Sequence, residues 1–155
     1  MRHWVLDGYN VIHAIPSLKN LLTHDADSAR EQLIQSIARL TLRKKIRCTV
    51  VFDGHPPDHH RPSLHAPVHV MYSFPLIADD TIKKIIDKTK NRSQLIVITS
   101  DREILSHARM QSCTTHSAKH FANLLRDEKS SSDEKTDQPL SDAQVQQWLK
   151  IFGEQ

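Results

Sequence analysis

Apolar positions along this chain follow two rhythms. Three short runs stand out, HWVL at His3–Leu6, CTVVF at Cys48–Phe52 and LIVIT at Leu95–Thr99, the last two rich in β-branched residues. Runs of this length and composition predict strands. A fourth, Val68–Phe74, alternates Val68, Val70, Tyr72 and Phe74, the pattern of a strand with one buried face. Between them the spacing changes to that of a helix. Leu33, Ile34, Ile37 and Leu40 line one side of Ser28–Lys44, with Ser28 and Glu31 as a capping box. Ile82, Ile85 and Ile86 do the same for Ala78–Lys90. Further helices are expected from Asp101 to about Met110 and over Ala118–Arg126, with a short extended segment around Cys113–Thr115 between them. Strands separated by helices need crossover connections, so the expected fold is α/β with a mostly parallel sheet covered on both faces.

The character of the chain changes at Asp127. DEKSSSDEKTDQP has no aliphatic residue and reads as a solvated linker. Ser141–Phe152 then resumes an amphipathic pattern, with Ser141 and Gln144 at its start and Val145, Trp148, Leu149 and Phe152 on one side. The expected organisation is a domain at 1–126, a polar linker at 127–140 and a C-terminal helix at 141–152. That helix either docks on the domain or offers itself to a partner; docking is favoured because an isolated helix of ~12 residues is marginal in water.

Composition narrows the chemistry. With 155 residues, 38% hydrophobic and 25% charged, the chain can build a core. Its only glycines are Gly8, Gly54 and Gly153, too few for a dinucleotide-binding or Walker loop, so no nucleotide cofactor is expected. No apolar run approaches the ~20 residues of a membrane span, and Asp7 interrupts the one candidate leader, so a cytoplasmic protein is expected. Cys48 and Cys113 match no zinc spacing and read as reduced thiols. A net charge of +3 and a pI near 9.0 permit a nucleic-acid partner without requiring one.

The carboxylates carry the functional signal. Asp7 follows the first strand, Asp53 the second and Asp101 the LIVIT strand, while Asp79 and Asp80 open the helix after Val68–Phe74. In a parallel sheet these strand ends converge on one edge, where open α/β folds bind ligands. Taken singly, each acid has a structural account as a helix-cap, first-turn or turn residue. Taken together they form a set of like charges that persists when a cation neutralises it, and oxygen-only ligands favour Mg²⁺ or Mn²⁺. Gly8 allows a tight exit from the first strand, and Asn10 lies three residues beyond Asp7, close enough to share a ligand or hold its carboxylate.

VLDGYNVI (5–12), VVFDG (50–54), ADDTIKKII (78–86) and VITSDREI (97–104), in this order and spacing, resemble the NYN branch of the PIN-like nucleases, most closely the YacP-like group. The resemblance implies a Rossmann-like three-layer α/β sandwich and a divalent-metal-dependent endoribonuclease using one or two Mg²⁺ or Mn²⁺ ions. By that likeness Asp7, Asp79 and Asp101 match the metal-binding acids, and Asn10 and Asp53 the supporting polar positions of the catalytic set. The family usually has glutamate after the acid aligned with Asp79; here Asp80 stands there, so both are candidate ligands. The resemblance also implies RNA as substrate and the ribosome as a context, since this group is linked to mRNA cleavage during translation.

Hydrolysis by a metal-activated water needs no serine or cysteine nucleophile. Thr99 and Ser100 are then expected to fix the backbone or orient the metal shell, and Tyr9 is the aromatic expected nearest the cleft. Two basic groups could follow an RNA backbone: Arg39, Arg43, Lys44, Lys45 and Arg47, and Lys83, Lys84, Lys88, Lys90 and Arg92. Solvated helix faces are an equal reading of both. His55, His59, His60, His65 and His69, interleaved with Pro56, Pro57, Pro62 and Pro67, are expected to form an extended substrate- or ribosome-facing loop rather than a metal site. The non-enzymatic alternative is an RNA- or ribosome-binding module with the same fold.

Overall fold

The computed structural model describes residues 2–59 and 68–136. Five strands form one sheet: β1 (His3–Asp7), β2 (Arg47–Phe52), β3 (Val68–Tyr72), β4 (Leu95–Ile98) and β5 (Thr114–His116). All neighbouring pairs are parallel, in the order β3-β2-β1-β4-β5. Among the described residues six α-helices surround it: α1 (Gly8–Ala14), α2 (Pro16–His24), α3 (Ala26–Lys44), α4 (Ala78–Lys88), α5 (Arg102–Met110) and α6 (Ala118–Thr136).

Strict alternation along the strands divides the core in two. Trp4, Leu6, Val50, Phe52 and Ile98 point to the side packed by α1, α2, α3 and α6, through residues such as Ile12, Leu18, Leu33, Ile37 and Phe121. Val5, Val51 and Val97 point to the other side, against Ile82 and Ile86 of α4 and Ile104 of α5. Because the sheet is buried on both faces, its strands read as continuous apolar runs rather than alternating ones. Trp4 meets Phe121 edge to face, with centroids 5.4 Å apart.

Several boundaries depart from the sequence reading, each for a local reason. The capping residue of α3 is Asp25, whose carboxylate accepts from the Ser28 amide at 3.1 Å; Ser28 instead donates its hydroxyl to Asp25. β3 stops at Tyr72, because Ser73 turns the chain and Pro75 has no N–H for a ladder. α1 and α2 were not anticipated: they are short, and Pro16 starts the second, where its missing N–H costs nothing. α6 runs to Thr136, past Arg126 and into the segment read as linker. That stretch contains neither glycine nor proline and is helix-permissive, but it carries no apolar stripe to reveal a period. The expected helix at 141–152 lies outside the described residues. Among the described residues, no helix is long and apolar enough to cross a membrane.

Gly8 sits where strand and helix meet under the core. A Cβ there would run into the ring of Phe52, which is fully buried. Gly8→Ala is therefore expected to lower stability by about 1–3 kcal/mol, the usual cost of overpacking. Urea denaturation monitored by circular dichroism reads it, and Phe52→Leu should recover part of the loss by making room.

Candidate active site

β1 occupies the middle of the sheet: the chain runs outward from it through β2 to β3, then crosses back to place β4 on its other side. The carboxyl edge beside β1 and β4 is therefore a topological switch point, where α/β folds open a crevice. Asp7 ends β1 there. Thr99, Ser100 and Asp101 follow β4, and Asp79 and Asp80 lie in the first turn of α4 at the same edge. Residues ninety or more positions apart are directly bonded. The Ser100 amide donates to Asn10 Oδ1 at 2.9 Å. Thr99, fully buried, donates its hydroxyl to Asp7 Oδ2 at 3.4 Å and accepts from the Asp101 amide at 3.0 Å. Asn10 and Thr99 thus tie the ends of β1 and β4 together beneath the acids.

Asp101 has two functions available to it. Its Oδ1 caps α5, accepting from the Glu103 and Ile104 amides at 2.9 and 3.2 Å. Asp101 is thus the N-cap of α5, and the Ser100 hydroxyl accepts from the Ala118 amide at 3.4 Å. Asp101, Asp79 and Glu103 each offer a carboxylate oxygen such that all three lie within 4.8 Å of one another. Glu103 is missing from the sequence reading of the site; its place two residues after Asp101, at the start of a helix, is the signal that would have found it. Lys83 Nζ lies 3.5 Å from Glu103 Oε2 at the rim.

These charges strain one another. Burial pushes the Asp7 carboxyl up to about 6 against the pull of the Asn10 amide, and Asp79 and Asp101 add to the rise. Asp79 is also raised, first by burial and then by the Asp101 carboxylate, with Lys83 working the other way. An all-oxygen donor set whose members raise each other's proton affinity fits a hard divalent cation such as Mg²⁺ or Mn²⁺. Both cysteines are buried, and burial raises both thiols, so neither offers a thiolate nucleophile.

Other candidate residues are placed differently. Asp53 Oδ1 accepts from the Ser73 hydroxyl at 3.1 Å and the Ala78 amide at 2.9 Å, so it anchors the N-terminus of α4 and thereby positions Asp79. Asp80 is exposed and outside the three-carboxylate group. Tyr9 turns its ring onto Phe52 at 5.1 Å, and its hydroxyl accepts from Arg30, which also pairs with Asp27. Its ring is thus spent on packing. Arg43, Lys44 and Lys45 end α3 just before β2 begins, which puts them at the amino edge of the sheet, opposite the acids. Lys83 and Lys84 follow the acids along α4. In the histidine-rich loop, His55 stacks on Phe74 and His59 lies 3.8 Å from Asp27; His60 and His65 fall outside the described residues.

Comparison with known proteins agrees with this architecture. The family model described as the YacP-like NYN domain matches residues 4–151. The uncharacterized protein YacP of Bacillus subtilis (strain 168) is 34% identical over 106 residues, which are 63% of this chain and 59% of that protein. The chain therefore matches less than two thirds of that relative's length. The crystal structure of Rae1 (YacP) from Bacillus subtilis superposes with a TM-score of 0.75 at 27% identity, over 87% of this chain and 79% of that one. Its W164L mutant gives a TM-score of 0.71, also at 27% identity, over 86% and 80%.

Proposed function

This chain belongs to the YacP-like NYN domain family, a branch of the PIN-like nuclease fold, and we propose that it is a Mg²⁺- or Mn²⁺-dependent endoribonuclease hydrolysing phosphodiester bonds of single-stranded RNA. The observation that carries the reading is the group of Asp79, Asp101 and Glu103 carboxylates at the switch point of the sheet, with Asp7 electrostatically coupled to it. Asp7, Asp79, Asp101 and Glu103 would hold the ion or ions. A bound divalent ion lowers the pKa of a coordinated water and offsets the negative charge of the scissile phosphate.

The chain's own residues supply position and charge. Thr99 and Asn10 hold the two strand ends at fixed separation, so the acids are preorganised rather than assembled on binding. Asp53 fixes the entry of α4. Lys83 and Lys84 give the rim a positive charge that an RNA phosphate would meet. Messenger RNA in a ribosomal context is the substrate setting that the family resemblance suggests, and a cytoplasmic location follows from it.

The experiment is cleavage of an unstructured fluorescent RNA by the purified chain. Cutting is expected with Mn²⁺ or Mg²⁺ and not with EDTA. Tight RNA binding without cleavage under either metal would instead favour the non-catalytic binding module.

A further inference from the structure

Large apolar side chains left in water on a folded domain call for an explanation when they cluster. Among the described residues five are exposed, and three of them, Phe74, Leu76 and Ile77, sit in one loop between β3 and α4. This loop is at the carboxyl edge and leads directly into Asp79.

The loop is also held firmly. The Ser73 amide donates to the Phe52 carbonyl at 3.0 Å, the Phe74 amide to the Gly54 carbonyl at 3.0 Å and the Leu76 amide to the Ser73 carbonyl at 2.7 Å. The buried Ser73 hydroxyl accepts from the Gly54 amide at 2.9 Å and donates to Asp53. Gly54 adopts φ +103°, a left-handed conformation suited to glycine, which lets the loop after β2 lie against this one. His55 then stacks on Phe74, with centroids 3.6 Å apart and planes 25° from parallel. Phe74 nevertheless remains 55% exposed. The result is a pair of stacked flat rings, tied to the scaffold by backbone bonds, with aromatic surface still open to solvent.

From this geometry, and resting on the reading of the chain as a single-strand ribonuclease, we infer that Phe74 and His55 form a stacking platform for an unpaired nucleobase of the RNA flanking the scissile phosphate. β3 lies two strand spacings, about 10 Å, from β1, which puts the platform beside the acids rather than among them. Chemistry favours a base over a phosphate here. The exposed Phe74, Leu76 and Ile77 side chains offer a phosphate no hydrogen-bond donor, whereas a neutral base can exploit an apolar π-face. Every base has such a face, so the platform selects single strands over duplexes without reading sequence. Leu76 and Ile77 extend its apolar rim. The preorganised loop keeps the ordering cost of binding low.

The test measures binding in EDTA, where no turnover occurs. A short fluorescein-labelled oligoribonucleotide and the full chain are titrated by anisotropy. A second oligonucleotide carrying 2-aminopurine reports stacking through quenching. Phe74→Ala is expected to weaken single-strand binding between about fivefold and about a hundredfold, the range for losing one stacked base, and to abolish the quenching. Phe74→Trp should bind within about twofold of the parent and restore it. Met110→Ala, an exposed apolar change on α5, should alter neither, and duplex RNA should bind all four chains alike. Phe74 is exposed, so these variants should keep the parent's melting temperature. Unchanged single-strand affinity and quenching in Phe74→Ala would overturn the platform, including the case where the loop serves a protein partner. Because the readout is binding, a failure of the nuclease reading would show separately, as absent cleavage by the parent chain with Mn²⁺.

Discussion

Asp101→Asn is expected to lower metal-dependent RNA cleavage by at least about a hundredfold while the domain stays folded. The two effects separate because Asp101 uses its atoms differently for each role. Helix capping needs only an acceptor oxygen, and the asparagine amide oxygen can take the Glu103 and Ile104 N–H bonds that Oδ1 now accepts. Asparagine and aspartate are similarly good N-caps. Holding a divalent cation beside Asp79 and Glu103 needs the charge, which asparagine lacks. An ion that neutralises phosphate charge supplies several kcal/mol in the transition state, and each 1.36 kcal/mol is tenfold in rate. Asp101→Ala should show the contrast: equal loss of cleavage, together with a lower melting temperature from the lost cap, about 1 kcal/mol. Single-turnover cleavage in Mn²⁺ alongside thermal denaturation reads both. Cleavage by Asp101→Asn within threefold of the parent would contradict a role for its charge.

What could be read from the chain alone follows from where physical signals are local. The strands were legible because a sheet covered on both faces leaves unbroken apolar runs, and the aspartates at their ends stand out against such runs. The common edge was legible because parallel connectivity sends every strand end to it. Direction within that edge was not. Tyr9 follows Asp7 by two residues, yet the turn into α1 swings its ring onto Phe52. Arg43, Lys44 and Lys45 form a conspicuous basic group, but a helix that returns the chain to the start of β2 must end at the opposite edge. Val68–Phe74 alternates as a strand should, and only the Ser73 turn takes Phe74 out of register and into solvent. Glu103 was hidden by a second plausible task, since acids in the first turn of a helix are common for dipole reasons alone.

Asp7→Asn should make the metal-free protein more stable at pH 7 while removing its activity. Burial and two neighbouring carboxylates raise Asp7 from 3.8 to about 6, so the folded state binds its proton more tightly than the unfolded chain does. Between those two values the folded protein holds a proton that the unfolded chain has released, and unfolding free energy falls as pH rises. Well above pH 6 the full penalty of the ionised, half-buried carboxylate is present; below the unfolded value it is absent. A shift of about two units corresponds to about 3 kcal/mol, and about 1 kcal/mol of this is given back if the asparagine NH₂ lacks a partner. The net gain is about 2 kcal/mol, or roughly 4–8 °C in melting temperature for a chain of this size; near pH 3 the electrostatic part is gone and the variant should be about 1 kcal/mol less stable than the parent. In the parent, Mn²⁺ at pH 7 should recover the same stability by neutralising the cluster, with apparent affinity falling as protons compete below about pH 6. In Asp7→Asn the ion's effect should be smaller and less dependent on pH. Melting curves in EDTA and in Mn²⁺ from pH 3 to pH 8 contain the whole comparison. A variant less stable than the parent at pH 7 in EDTA would mean that Asp7 carries no electrostatic strain, and the case for an ion drawn to relieve it would lose its main energetic support.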